Sequence, residues 1–214
     1  MTRAKTISAA LALALIAGTA CRKPESYDLI VRGGTLYDGS GEPPLVADVA
    51  VRDGRIAAIG DLSKASAGAE IDARGLAVAP GFINMMSAGD WALIQDGRAQ
   101  SDVRQGITLD VMGEGASLGP LNERMKVDVA AEQGDIKFAV EWTTLDEFLR
   151  HLEKRGVSLN VASFIGAATP RIHVIGYDDR PPSAGELRAM RREAARAMEA
   201  GAFGLSCGLT LFPS

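Results

Sequence analysis

The stretch Ala79-Pro-Gly-Phe-Ile-Asn-Met-Met-Ser-Ala-Gly-Asp90 separates two parts of the chain that have different patterns. Before it, short apolar runs alternate with turns rich in Gly, Asp and Pro, which is typical of a small β-sheet. After it, apolar runs suited to buried strands alternate with amphipathic stretches, and this alternation indicates parallel βαβ units. The stretch therefore predicts a change of architecture at about Pro80.

The residues from Tyr27 to Val78 predict an antiparallel sheet of short strands. Asp48-Val-Ala-Val-Arg52 alternates polar and apolar residues, as a half-buried strand does. Asp53-Gly54 follows it and is a strong hairpin signal, because both central positions of a type I′ turn need positive φ. Arg55-Ile-Ala-Ala-Ile59 then supplies the returning strand.

The second part carries start signals for strands and for helices. Gly106–Met112 and Val157–Ile165 are compact apolar runs, which suit strands that are buried on both faces. Thr144 with Glu147, and likewise Ser183 with Glu186, match the capping box that begins a helix. The helix after the second box is expected to bury one stripe of four apolar residues. These are Leu187, Met190, Ala194 and Met198.

Several motifs resemble the amidohydrolase superfamily, and within it the D-aminoacylase family of N-acyl-D-amino-acid deacylases. D-L-I-V-R-G-G-T-L-Y-D-G from Asp28, D-V-A-V-R-D-G-R-I-A-A-I-G from Asp48 and I-D-A-R-G-L-A-V-A-P-G-F-I from Ile71 are similar to its N-terminal β-sandwich segment. Val161–Gly166 and Glu199–Ser206 resemble its third and fourth barrel strands. The resemblance implies an α/β fold in which residues 22–80 form a small β-sandwich segment. Residues 81–214 would then form the first half of a metal-dependent-hydrolase-like (β/α)8 barrel, with about four strands.

The resemblance also implies a zinc site, and this chain departs from the pattern there. The first barrel strand of the superfamily typically reads P-G-F-I-D-x-H-x-H, so its two metal-binding histidines fall on Met86 and Ala88. A metal-binding cysteine after the second strand falls on Gly115. Imidazole and thiolate bind zinc strongly, a thioether is poorly suited to it, and a methyl group or a hydrogen cannot bind at all.

The implied activity is hydrolysis of a carbon–nitrogen bond other than a peptide bond. In the family a zinc-bound water attacks the acyl carbonyl of an N-acyl-D-amino acid, which releases a carboxylate and a free D-amino acid. The lost ligand positions support an alternative: a truncated, non-catalytic remnant, or a binding protein that keeps the scaffold. We expect the 214-residue chain by itself to be inactive or nearly so.

Glu114 is the candidate metal ligand among the residues present. It follows the run Gly106–Met112, and the carboxyl end of a barrel strand is where such active sites form. A carboxylate there could be a surviving oxygen ligand for zinc. The alternative is a solvated acid between two glycines. Asp90 is expected to line the same mouth or cap a helix, and Asp110 to face a helix.

Arg171 and His173 are the candidate substrate-binding residues. Both lie in Thr169-Pro-Arg-Ile-His173, which is interpreted as a loop after the third strand. A guanidinium can bind a substrate carboxylate through two hydrogen bonds, and an imidazole can contact substrate or metal. A surface charge and a structural histidine are the alternatives. Cys207 has no activating base beside it, which favours a buried, inert thiol.

Residues 1–20 resemble an export signal. Two basic residues precede the apolar run Ile7–Ala17, which is too short to span a bilayer permanently. Small residues lead into Cys21, as in a bacterial lipobox, whose cysteine is lipidated after cleavage. Ordinary cleavage after Ala20 is the alternative. We therefore predict an exported bacterial protein that is either periplasmic or anchored to the membrane as a lipoprotein.

The charge of the chain argues against a nucleic-acid partner. The 214 residues carry 23 Lys and Arg against 27 Asp and Glu, a formal net charge of −4. A chain with this balance lacks the basic footprint that binding to a phosphate backbone requires. The predicted partner is a small molecule, an N-acyl amino acid.

Overall fold

The computed structural model describes residues 26–208 as two compact units. The first unit ends at Pro80 and the second begins at Gly81. The predicted signal segment and Cys21 lie outside the described residues. None of the helices in residues 26–208 is long and apolar enough to cross a membrane.

The first unit is built on one mixed sheet. Its strands are β1 (Ser26–Leu36), β2 (Leu45–Arg52), β3 (Arg55–Gly60), β4 (Ser66–Asp72) and β5 (Ala77–Val78). The order is β3-β2-β1-β4, and β5 also pairs with β1. The prediction of an antiparallel sheet is correct for β1, β2 and β3 but wrong for β4 and β5, which run parallel to β1. The chain between β3 and β4 crosses to the far side of β1, and local turn signals do not encode such a crossover.

The predicted hairpin between β2 and β3 is confirmed. Asp53 has φ 52° and Gly54 has φ 68°, so both central residues adopt the left-handed conformation. Asp and Gly tolerate this region better than other residues do. The backbone N–H of Asp53 in this turn also donates a hydrogen bond to Asp28 Oδ2, at 2.7 Å.

The second unit alternates strands and helices. Its strands are β6 (Phe82–Asn84), β7 (Ile107–Met112), β8 (Asn160–Ser163), β9 (Ile165–Gly166) and β10 (Leu205–Ser206). Its helices are α1 (Asp90–Gln95), α2 (Gln100–Val103), α3 (Glu123–Glu132), α4 (Leu145–Arg155), α5 (Ala168–Ile175) and α6 (Ala184–Glu199).

The strands of this unit run parallel and follow one another in chain order. β6, β7 and β8 are hydrogen-bonded side by side, and β9 pairs with β10. β8 and β9 are separated only by Phe164, and Phe203 N donates to Ser163 O at 2.9 Å, which joins the two sets. Parallel neighbours in chain order require a crossover on each connection, and the helices supply these crossovers.

The core of the second unit lies between these strands and the helices. Trp142, Phe148, Leu152, Met112 and Ile165 are among its fully buried members. The indole Nε1 of Trp142 donates to the carbonyl oxygen of Leu118 at 2.7 Å, so the large ring is buried without an unpaired donor. His151 packs against this ring, with ring centroids 5.0 Å apart.

Both predicted capping boxes are present. Thr144 begins α4 and Ser183 begins α6, each with reciprocal bonds to a glutamate three residues later. The stripe predicted for α6 is partly wrong, because Leu187 and Met198 are exposed and Ala197 is the buried residue. A long helix on the outside of a sheet buries the narrow face that contacts its neighbours, and small alanines allow close approach there.

Removal of the buried ring of Phe148 would leave a cavity in the core, and this gives a first test of the fold. Phe148 is 1% exposed, and Phe148→Ala is expected to lower the free energy of unfolding by about 3–5 kcal/mol. Phe82→Ala is the matched control, since Phe82 is 61% exposed and belongs to the same unit. Urea unfolding followed by circular dichroism measures both. Equal losses in the two variants would contradict the burial that separates them.

Candidate functional site

The segment that leaves β6 is shaped by its own side chains. Asn84 Oδ1 accepts from Met86 N at 3.3 Å, and Ser87 Oγ accepts from Gly89 N at 3.2 Å. Ser87 N also donates to Val111 O at 2.9 Å, which carries the β6–β7 pairing beyond the end of β6. The segment therefore has a defined conformation at the carboxyl end of its strand.

The side chains at the two histidine positions of the superfamily face solvent. Met86 is 67% exposed, and Ala88 is exposed as well. Gly115, at the cysteine position, has φ 71°, a conformation that a side-chain-bearing residue adopts only with strain. The backbone at this position therefore favours glycine over cysteine.

A buried carboxyl group lies directly beside this segment. Asp110 on β7 pairs with Asn84 on β6 and is only 1% exposed. Burial raises the pKa of Asp110, and the nearby carboxylate of Asp102 raises it further. The side chains of Ser87 and Asn84 act in the opposite direction and lower it. The prediction that Asp110 faces a helix is confirmed, because Asp102 belongs to α2.

Asp110 lines a cavity of about 240 Å³ between β7 and the first two helices. Three of the lining residues are acidic: Asp96, Asp102 and Asp110. Asp96 is neutralised by Arg98, with Nη2 2.7 Å from Oδ2, and this contact lowers the pKa of Asp96 to about 2. Asp90 is the first residue of α1 and accepts from Trp91 N at 2.9 Å, and burial raises its pKa.

Glu114 follows β7 at the expected place, and its side chain is exposed. Within residues 26–208, no three His, Cys, Asp or Glu side chains lie close enough together to hold a metal ion. Zinc sites in proteins use three or four such ligands. The described residues therefore do not fit a zinc ion, and no catalytic step through zinc is assigned to them. The role predicted for Glu114 stays a prediction.

Arg171 and His173 lie in α5, so the interpretation of their segment as a loop is wrong. Ala168–Ile175 is helical although it contains Pro170, because a proline in the first turn of a helix gives up no hydrogen bond. Arg171 Nη2 donates to the backbone oxygens of Asp178 at 2.9 Å and Arg180 at 3.0 Å. These two hydrogen bonds connect the guanidinium of Arg171 to the turn after α5.

His173 lines a different part of the second unit. It borders a cavity of about 470 Å³ together with the start of α4 and the last turns of α6, including Glu193 and Arg196. Its carbonyl oxygen accepts from Asn122 Nδ2 at 3.0 Å, and its Nδ1 is buried without a hydrogen-bond partner. Among the described residues, no hydrogen bond or ion pair connects Glu114 with Arg171 or His173. The substrate roles of these two residues stay predictions.

Cys207 is an exposed free thiol, so the prediction that it is buried is wrong. It follows β10 by one residue. The prediction rested on the lack of an activating base beside Cys207, which says nothing about burial, and in this structure Leu205 and Phe203 are exposed as well.

No family model matches this chain. Over 194 residues it is 39% identical to N-acyl-D-aspartate deacylase of Alcaligenes xylosoxydans xylosoxydans, which covers 89% of this chain and 38% of the relative. The crystal structure of D-aminoacylase, which defines a novel subset of amidohydrolases, matches with a TM-score of 0.73 and 37% identity over 85% of this chain and 38% of that one.

A third match is the crystal structure of N-acyl-D-glutamate deacylase from Bordetella bronchiseptica, complexed with zinc and a phosphonate inhibitor that mimics the tetrahedral intermediate of the reaction. It has a TM-score of 0.78 and 34% identity over 88% of this chain and 40% of that one. The chain thus spans about two fifths of the length of these relatives.

These matches establish the class to which the chain is related, the amidohydrolases. Within that class its homologues are the D-aminoacylases, the deacylases of N-acyl-D-amino acids, and it corresponds to their N-terminal portion. The resemblance noted in the sequence is thereby confirmed, and the mixed α/β fold agrees with it.

The partners of Arg171 give a test of its structural role. Arg171→Gln removes the two bonds to the turn after α5 and is expected to lower the free energy of unfolding by about 1 kcal/mol. Arg188→Gln, at an exposed arginine of α6, is the matched control and should change it by less than about 0.5 kcal/mol. Thermal unfolding measures both. Unchanged stability of the Arg171 variant would favour the substrate-binding role.

Proposed function

We propose that this chain is the N-terminal part of a hydrolase scaffold for N-acyl-D-amino acids. The reaction class is hydrolysis of a non-peptide carbon–nitrogen bond to a carboxylate and a free D-amino acid. The observation that carries the proposal is the similarity to three deacylases that extends over at least 85% of the chain. Substrate, activity and partners of the whole protein are part of the proposal.

The proposed scaffold has two components. The first unit would be the β-sandwich segment of the superfamily, and the second the first half of a (β/α)8 barrel. Support comes from the mixed sheet that ends before Pro80 and from parallel strands that follow one another in chain order. In such a barrel the carboxyl ends of the strands form the active-site mouth. Met86, Ala88 and Glu114 would then lie at that mouth.

A zinc cofactor is proposed for the reaction class, since N-acyl-D-glutamate deacylase was crystallised with zinc. When bound, zinc supplies a nucleophilic hydroxide near neutral pH and polarises the acyl carbonyl. Residues 26–208 do not assemble a site for it. We therefore propose that these residues provide the scaffold, and we predict that the chain by itself does not hydrolyse N-acyl-D-amino acids.

A second candidate is a non-catalytic binding protein that keeps the same scaffold. Two observations favour it. Met86 and Ala88 stand where the superfamily pattern has histidines. In the described part of the chain, no three His, Cys, Asp or Glu side chains form a group that could hold a metal ion. Its partner would be the same class of small molecule, an N-acyl amino acid. Export through residues 1–20, and lipid anchoring through Cys21 to a bacterial membrane, are proposals that rest on the sequence pattern alone.

A turnover assay tests the proposed lack of activity. The purified 214-residue chain is expected to release no acetate from N-acetyl-D-glutamate or N-acetyl-D-aspartate, with or without added zinc, because residues 26–208 do not bring together three side chains that could hold the metal ion that activates water. Release of acetate measured by a coupled enzyme assay, and abolished by a chelator, would contradict the expectation. An intact deacylase related to this chain is the positive control for the assay.

Histidine substitutions at positions 86 and 88 test whether these two residues lie together at the proposed active-site mouth. Met86→His together with Ala88→His is expected to create a weak zinc site, so that added zinc raises the midpoint of thermal unfolding, as any ligand of the folded state does. The single variants Met86→His and Ala88→His are matched controls with one imidazole each. Zinc should leave the parent chain and both single variants almost unchanged. An equal zinc effect on all four proteins would remove the argument for a shared site.

A further inference from the structure

The cavity beside His173 lies among three helices of the second unit. Its volume is about 470 Å³, and its lining comes from the start of α4, from His173 on α5 and from the last turns of α6. The buried side chains of Leu145 and Ala197 form part of its apolar wall. Pockets that bind small molecules have volumes of about 300–1,000 Å³ and combine apolar walls with a few polar groups. The residues placed at the proposed active-site mouth do not line this cavity.

The imidazole of His173 has one ring nitrogen that a ligand can reach. Nδ1 has less than 1 Å² of accessible area and no hydrogen-bond partner. Nε2 also forms no hydrogen bond within residues 26–208, but it does not belong to the buried polar atoms of that range. A buried N–H without an acceptor is rarer in proteins than a buried acceptor without a donor, which favours the proton on Nε2. His173 therefore offers an N–H donor to a ligand in the cavity.

Arg196 gives the cavity a positive charge with unused donors. Its Nη1 lies 2.8 Å from Oε1 of Glu193, one turn earlier on α6. This bond uses one of the five N–H groups of a guanidinium, and the group forms no other hydrogen bond in the described part of the chain. The free N–H groups can bind a ligand carboxylate through charge-assisted hydrogen bonds.

Two carboxylates line the same cavity, and each has an oxygen to spare. Glu193 uses Oε1 for Arg196, and Asp146 uses Oδ2 for Nε of Arg150 at 2.8 Å. The second oxygen of each group accepts no hydrogen bond within residues 26–208, and neither oxygen is buried there. The Glu193 side chain is 17% exposed, so its position on the helix is well defined. These oxygens can accept hydrogen bonds from a ligand ammonium group.

The presence of both signs of charge decides the class of ligand. A simple carboxylate would bind Arg196 but would also lie near two acids, Glu193 and Asp146. A simple amine would bind the acids but would lie near the guanidinium. Like charges placed together disfavour binding, and complementary charges favour it. A molecule with both charges at one end and an apolar body satisfies the polar groups and the apolar wall together.

We propose that this cavity binds a zwitterionic α-amino acid with an apolar side chain. The ligand carboxylate contacts the guanidinium of Arg196 and the Nε2–H of His173. The ligand ammonium group contacts the carboxylates of Glu193 and Asp146, and the ligand side chain packs towards Leu145. The inference goes beyond the proposed hydrolase function and does not depend on it.

A titration of the full 214-residue chain with leucine, followed by nuclear magnetic resonance, tests the proposal. The ring resonances of His173 and the amide resonance of Thr143, which also lines the cavity, are expected to shift together. At least one enantiomer of leucine should saturate both shifts with a Kd below about 10 mM.

Two analogues of leucine separate the contributions of its charges. 4-Methylpentanoate lacks the ammonium group, and 3-methylbutylamine lacks the carboxylate, while both keep the apolar chain. Each is expected to bind at least about 10-fold more weakly than leucine, because each loses the hydrogen bonds of one charged group and meets an uncompensated like charge.

Three glutamine variants assign the contacts. In Arg196→Gln, leucine should bind no more tightly than 3-methylbutylamine, since the partner of the carboxylate is gone. In Glu193→Gln, it should bind less tightly by at least about 10-fold, because the ammonium group loses a charged acceptor. Arg192→Gln is the matched control, because Arg192 is an exposed arginine of α6 that does not line the cavity. This variant should change the Kd by less than about 2-fold.

Three results would overturn the proposal. The first is the absence of saturable shifts at His173 and Thr143 with either enantiomer at about 10 mM. The second is an analogue that binds as tightly as leucine, which would show that the cavity recognises one charge only. The third is an equal loss of affinity in Arg192→Gln and Arg196→Gln. If a variant does not fold, the comparison of leucine with its two analogues on the unmodified chain still decides. Binding is measured without turnover, so a lack of hydrolase activity leaves the outcome unchanged.

Discussion

The buried indole of Trp142 is the interaction on which the second unit depends most. The ring is 1% exposed, its N–H donates to Leu118 O, and Phe138, Phe148 and His151 pack around it. One side chain thereby ties the irregular chain before α4 to the helix itself. Burial of large aromatic surface provides most of the stabilisation, and the satisfied N–H removes the cost of burying a polar group.

A scaffold and a metal site make different demands on a sequence. The scaffold rests on many apolar contacts and backbone hydrogen bonds distributed over the chain, so no single residue decides it. A zinc site rests on three or four side chains, and changing two of them removes it. This difference explains how the chain can be homologous to deacylases over most of its length while Met86 and Ala88 stand where the superfamily pattern predicts histidines.

A buried acid lies beside the end of β6. Asp110 on β7 pairs with Asn84 on β6 and is 1% exposed, and Asp102 adds a like charge from α2. Buried polar groups are stable when each of them is satisfied, and here Oδ1 of Asp110 has no hydrogen-bond partner. Burial therefore raises the pKa of Asp110. By contrast, Asp96 and Glu186 each lie next to an arginine, which lowers the pKa of each to about 2.

The sequence by itself determined the features that depend on neighbours in the chain. The Asp53–Gly54 turn and the capping boxes at Thr144 and Ser183 follow from backbone conformation and bonds within three residues. Homology was readable because linked motifs occur in order. Only the tertiary structure decided that β4 runs parallel to β1, that Cys207 is exposed and that Asp110 is buried. These properties depend on partners distant in the chain, and the local pattern of residues does not specify which surfaces those partners cover.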